Sequence, residues 1–169
     1  DLRPGTILVR VREPPDLVVT GFGSARLAEF DLDIVSPLET NRYMAPETIA
    51  GGVAAASDWW SLGMLLLEQV TGGACFEGVN DQAFLIHVLA RGVPLPPELD
   101  PSLALLLRGL LTADRRDRWQ WKEVKDWLDG KAPPAAPGPA GESDPVTDLS
   151  ITLAGQAYRK ATAFALAAA

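Results

Sequence analysis

The side chains able to do chemistry fall into a few short runs of this sequence. Asp1-Leu-Arg-Pro-Gly-Thr6 places a carboxylate, a guanidinium and a hydroxyl close together along the chain. Gly21-Phe-Gly23 follows, then Asp31 and Asp33, Arg42-Tyr-Met-Ala-Pro-Glu47, Ser57-Asp58 and the charged run Asp114-Arg-Arg-Asp-Arg118. There is one cysteine, Cys75, and one histidine, His87. A lone cysteine closes no internal disulfide, and one Cys with one His builds no zinc ribbon or finger. Chemistry in this chain therefore rests on carboxylates, hydroxyls and guanidinium groups. Cys75 reads as a small buried apolar filler, and His87 as a surface or core-edge residue.

The elements that must position these groups are legible in outline. The chain has 169 residues, 47% hydrophobic and 22% charged, which is ordinary for a globular protein and excludes a wholly disordered one. A net charge of −7 argues against non-specific nucleic-acid binding, which needs a basic face. No apolar run approaches ~18 residues and no signal-peptide pattern is present, so no membrane contact is expected of this segment. With no targeting signal, the default location is cytoplasmic. Lacking a starting Met, the chain reads as a piece of something longer.

Composition shifts near Gly130. Residues 1–130 hold all five Trp and carry 12 basic and 19 acidic side chains, whereas 131–169 carry three of each sign. Residues 131–147 are rich in Pro, Ala and Gly and read as a linker. Residues 148–169 read as helix, with Ile151, Leu153, Tyr158, Phe164 and Leu166 among alanines. That segment either docks on the core or starts a further domain. Upstream, Ile7–Val11 and Asp16–Thr20 are β-branched runs that predict a hairpin. Ser57 or Asp58 predicts the cap of a helix through Val70, apolar nearly all round and stopped by Gly72-Gly73. Helices are also expected over Asp81–Ala90, from Pro101 with a leucine stripe, and over Trp119–Asp129 with Trp121, Val124, Trp127 and Leu128 inward.

Several of these runs, in this order, resemble the C-terminal lobe of the eukaryotic-type Ser/Thr protein kinases. Asp1-Leu-Arg-Pro-Gly-Thr-Ile-Leu8 is similar to the family's catalytic loop D-L-K-P-x-N-I-L, and Gly21-Phe-Gly23 sits where the family has D-F-G. Arg42–Glu47 matches R-Y-M-A-P-E, Ser57–Gly63 matches S-D-x-W-S-L-G, and Asp114–Arg118 matches D-P-x-x-R. The fold class this implies is mainly α: a kinase-like C-lobe of a small β-hairpin and a helical bundle over residues 1–130, without its N-lobe, followed by linker and helix. At most half a nucleotide pocket is then expected here.

The resemblance also implies roles. In the family the loop Asp accepts the substrate hydroxyl proton, the loop Lys sits by the transferring phosphate, and the Asn and the D-F-G Asp hold magnesium. Here Asp1 keeps the base and Arg3 keeps a cation. Thr6 replaces the Asn, offering one neutral oxygen, and Gly21 replaces the metal-binding Asp with nothing. Magnesium wants several oxygen ligands, usually including carboxylates. The implied structural residues are Glu47, paired with Arg118, and Asp58, which in the family ties down the catalytic loop. A kept scaffold with a lost metal site resembles a pseudokinase.

Plainer readings stand beside these. Asp1 is alternatively an exposed chain terminus, and Gly21-Phe-Gly23 a turn with Phe22 in the core. Asp31 and Asp33 are either substitute metal ligands or solvated acids on a mobile loop. Ser36, Thr40 and Thr48 flank the region where kinases accept activating phosphates. The leading expectation is a regulatory, protein-binding module with no cofactor, its partner docking on the helical lobe. One alternative is a fragment of an active atypical Ser/Thr kinase using ATP and magnesium, with an N-lobe in the parent chain. The other is a structural remnant that self-associates through exposed apolar surface.

Overall fold

Two short runs of β-branched residues open the architecture. Ile7–Val11 (β1) and Asp16–Val19 (β2) pair antiparallel, with Ile7 opposite Val19, Leu8 opposite Val18 and Val9 opposite Leu17. The register breaks between Val9 and Val11, and the turn carries Pro14 and Pro15, which cannot donate to a ladder. This is a computed structural model that describes residues 1–27, 31–34 and 40–131. The expected linker over 131–147 (Lys131 excepted), the helical segment 148–169 and Ser36 lie outside the described residues.

A second small sheet pairs Asp33–Ile34 (β3) with Gly52–Val53 (β4), and the single turn Pro46–Ile49 (α1) comes just before β4. A Cβ at Gly52 would lie 2.7 Å from Leu32 Cδ1 and 3.2 Å from Glu47 O, a close approach that glycine eases. Asp33 therefore sits in a strand opposite Val53, not on the mobile loop the sequence suggested.

Ala55–Thr71 (α2) is the axis of the helical part. It begins two to three residues before the expected cap, because Ser57 works from inside the first turn, where its Oγ accepts the Ala54 N–H at 3.2 Å. Gly72 and Gly73 end it in the left-handed region, at φ 60° and 87°. Trp60, Met64 and Leu67 on this helix have no solvent exposure. They pack with Phe76, with Phe84 and Val88 of Asp81–Arg91 (α3), and with Leu107 and Leu111 around Pro101–Leu110 (α4). Asn80 caps α3, accepting from Ala83 N–H, and Asp100 caps α4, accepting from Ser102 and Leu103.

Trp121–Leu128 (α5) closes the domain, and it departs from expectation at both ends. Trp119 is not helical. Its ring instead fills the slot over Gly109, where a Cβ would come within 2.1 Å of it. With that slot taken, the inner face of α5 runs through Val124 and Trp127, the latter donating its Nε1–H to Ser102 O at 3.0 Å. Trp121 and Leu128, expected inward, flank that stripe and are 60% and 64% exposed. The result is mostly helical, with five α-helices and two small antiparallel sheets among the described residues.

Candidate functional site

The chemistry-bearing residues at the start of the chain converge at the base of the hairpin. Pro4–Thr6 forms one 3-10 turn closed by the Thr6 N–H to Arg3 O bond of 2.9 Å. Thr6 is buried, and its hydroxyl serves the backbone. Oγ1 accepts the Arg3 N–H at 3.1 Å and lies 3.1 and 3.0 Å from the Asp1 and Arg3 carbonyl oxygens, to one of which it donates. The Thr20 N–H donates to Thr6 O at 2.8 Å and so brings Gly21 against the Thr6 side chain.

Gly21 is left-handed, with φ 75° and ψ 31°. A Cβ there would lie 2.8 Å from Thr6 Cγ2, closer than real Cβ contacts come. Both the backbone and the threonine methyl therefore favour glycine. Phe22–Ser24 then forms a short 3-10 turn, and Phe22, expected in the core, is 70% exposed. No apolar cluster of the described residues includes it.

The turn carries a residue the sequence did not single out. Ser24 Oγ–H donates to Asp1 Oδ2 at 3.0 Å, and Arg3 Nε donates to the same oxygen at 3.2 Å. Its only sequence signal is its place directly after Gly21-Phe-Gly23. The Asp1 backbone nitrogen lies 3.9 Å from Asp58 Oδ1, whose side chain is 72% exposed. Asp1, Arg3, Thr6, Gly21 and Asp58 thus gather in one loop cluster. It can hold a carboxylate beside a cation and a hydroxyl.

The same cluster does not fit magnesium. Gly21 brings no side-chain oxygen, and the Thr6 hydroxyl is turned inward to the backbone. Asp31 is ion-paired with Arg115. Among the described residues no three His, Cys, Asp or Glu side chains converge on a common point.

A second cluster lies under α2. Arg118 is buried and spends all five of its N–H donors. Nη1 donates to Glu47 Oε1 at 2.7 Å and to Ala56 O at 3.0 Å, and Nη2 to Glu47 Oε2 at 2.9 Å and Ala113 O at 3.1 Å. Nε donates to Thr112 O at 2.9 Å, and the guanidinium stands 5.1 Å from the Trp60 ring centroid. Ser57 Oγ–H completes the shell of Glu47 at 2.8 Å. Arg42 pairs with Asp81 and lies over the Phe76 ring. Burial, then a 2.9 Å bond to Glu68, pushes the Tyr43 phenol up to about 12. The Arg116 guanidinium holds the Asp114 carboxyl below its usual range. Thr48 lies in α1 with its hydroxyl oxygen fully buried, so it offers no accessible acceptor for phosphate, whereas Thr40 is exposed. His87 is exposed, and Cys75 is half-buried in the wall of a groove instead of filling the core.

The family model for the protein kinase domain matches residues 1–127. The chain belongs to the protein kinase family. Among curated relatives, it is 34% identical over 115 residues to protein kinase 2 of Dictyostelium discoideum, covering 68% of this chain and 24% of that protein. It is 35% identical over 129 residues to the serine/threonine-protein kinase OXI1 of Arabidopsis thaliana, covering 68% of this chain and 30% of that one. Mouse ribosomal protein S6 kinase alpha-2 is 33% identical over 112 residues, covering 65% of this chain and 15% of its own length. The chain thus spans less than a third of each of these relatives. No helix among the described residues is long and apolar enough to cross a membrane.

Proposed function

We propose that this kinase-family domain is a pseudokinase C-lobe, a regulatory module that binds a protein partner and does not carry out magnesium-dependent phosphoryl transfer. The observation that carries this reading is the contact between Thr6 and Gly21. The two positions matching the family's metal ligands are packed on each other, the Thr6 methyl against the bare Cα of Gly21, while the Thr6 hydroxyl is bonded to backbone, so neither side chain presents an oxygen to a cation. The Glu47–Arg118 clasp is meanwhile fully bonded, so the framework is maintained where the metal site is not. Losing metal stabilisation of a transferring phosphoryl group removes several kcal/mol from the transition state, at about 1.4 kcal/mol per factor of ten in rate.

The test is calorimetric titration of ATP, with and without magnesium, into the protein as it occurs in full length. The expected result is no magnesium-dependent heat. Binding that tightens markedly with magnesium would sink the proposal and favour an active atypical kinase using Asp1, Arg3, ATP and magnesium. As a control, Gly21→Asp alone is expected not to create magnesium binding, because the added Cβ would lie 2.8 Å from Thr6 Cγ2. Self-association is a second reading, favoured by the exposure of Leu8, Val9, Leu17 and Val19 on the hairpin. Sedimentation across a concentration series separates it from a monomeric docking module.

A further inference from the structure

An open apolar groove of about 490 Å³ lies far from the Asp1 cluster in sequence, walled by Val70, Cys75, Phe84, Val93, Leu95 and Leu99. Its floor is the C-terminal end of α2 and the inner face of α3, and its outer lip is the chain between α3 and α4. Glu98 supplies a charge at that lip. Neither Asp1 nor the Glu47–Arg118 clasp lines it, so the reading of the metal site leaves it unexplained.

The position at which the chain leaves the helical part points to an occupant. Trp127, in the last turn of α5, bonds Ser102 O at the first turn of α4, and Leu99 of the groove wall lies three residues before Ser102. Lys131 follows directly, its N–H donating to Asp126 O at 2.9 Å. The chain thus departs from the end of α5, which is held to the first turn of α4 just after the groove's outer lip. Sixteen further residues, 132–147, separate it from the apolar stretch at 148–169. At ~3.1 Å per residue for a proline-rich linker they reach up to ~50 Å, longer than the domain is wide. A tether of this kind holds its end at an effective concentration on the order of millimolar. Charge agrees with the match. Residues 1–130 are net acidic with Glu98 at the lip, and Arg159 and Lys160 are the only charges between Asp148 and the last residue.

We propose that residues 148–169 of the same chain fill this groove in cis, with Tyr158, Phe164 and Leu166 supplying the apolar contacts. The domain would then carry its own competitor for any partner that seeks the helical surface. Cys75, the single cysteine of the sequence, lines the groove and reports on it. The experiment measures the rate at which an aromatic disulfide reagent modifies Cys75 in the full chain and in a Phe164→Asp, Leu166→Asp double variant. A segment that binds with a Kd of ~0.1 mM at millimolar effective concentration leaves the groove open about a tenth of the time. The double variant is therefore expected to react about tenfold faster. Its circular dichroism and unfolding midpoint should stay close to those of the parent, which shows that the domain itself is unchanged. Equal rates in parent and variant overturn the proposal, whatever the metal titration gives. A Phe164→Cys variant sorts the occupants under mild oxidation. A disulfide joining Cys75 to position 164 within one chain supports docking in cis, whereas the same 75–164 disulfide between two chains assigns the groove to a second copy and overturns it.

Discussion

Substituting Glu47 by Gln tests whether the clasp under α2 holds the domain together. Arg118 has no exposed side-chain surface and satisfies all five donors, two of them on Glu47. The glutamine would keep one acceptor oxygen, place an NH2 against a guanidinium N–H, and leave the buried cation without its counter-charge. Breaking a buried pair from one side costs about 3–5 kcal/mol, and the retained acceptor keeps the expected loss near the lower figure. For a domain of this size, urea unfolding has a slope of about 2 kcal/mol/M, so the midpoint should fall by about 1.5 M. Tryptophan fluorescence is a suitable readout because Trp60 lies fully buried beneath the guanidinium. Adding Arg118→Met should not restore stability. The carbonyls of Ala56, Thr112 and Ala113 lose their donor in the double variant, at about 1 kcal/mol or more each. A midpoint shift below about 0.5 M for Glu47→Gln, or a double variant that unfolds where the parent does, would show that the clasp is not what holds α2 in place.

Three further outcomes follow from packing and protonation. Gly109→Ala drives a methyl into the Trp119 ring at a distance of 2.1 Å, so thermal unfolding should show a loss of roughly 1–3 kcal/mol or more, the cost of overpacking; an unchanged midpoint would mean that the ring is free to move aside. The Tyr43 phenol is raised from 10.0 to about 12, so its contribution to stability is complete below pH 10 and is lost as pH rises from 10 to 12. Phenolate absorbance of the two tyrosines should accordingly include a step near 12 that Tyr43→Phe removes, and a titration completed near 10 would contradict this. Trp121→Gln, at a 60% exposed site, should alter stability by no more than about 0.5 kcal/mol, measured in the same urea series.

What could be read from sequence was whatever is written as a local pattern. The apolar run of α2, the Gly72-Gly73 stop, Pro101 at the start of α4 and the β-branched hairpin are of that kind, because starts, stops and apolar runs are encoded within a few residues. What escaped depends on partners distant in the chain. The exposure of Trp121 and Leu128 follows from Trp119 occupying the space over Gly109, which no helical period reveals. The Ser24 bond to Asp1 needs the hairpin to bring the ends of two strands together, whereas the Thr6 hydroxyl turns inward through bonds confined to residues 1–6, which the residue types alone do not reveal. The β3–β4 pairing joins residues almost twenty apart through only two positions on each strand, too short a run to leave a signal. The packing of Gly21 on Thr6 is harder still, since a missing side chain leaves no pattern to detect.

The hairpin has a consequence for how the chain behaves in concentrated solution. A two-stranded sheet has no interior strand, so among the described residues β1 and β2 each leave one backbone edge without a ladder partner. Leu8, Val9, Leu17 and Val19 are 47–60% exposed along these strands. Unpaired edges of that kind are templates for adding another strand. Opposing this, Arg10, Arg12, Glu13, Pro14, Pro15 and Asp16 crowd charge and proline at the turn, so protection is concentrated at the tip and fades toward the base. Ordered association, where it occurs, should therefore start at the Ile7–Val19 end of the ladder and spread toward the turn.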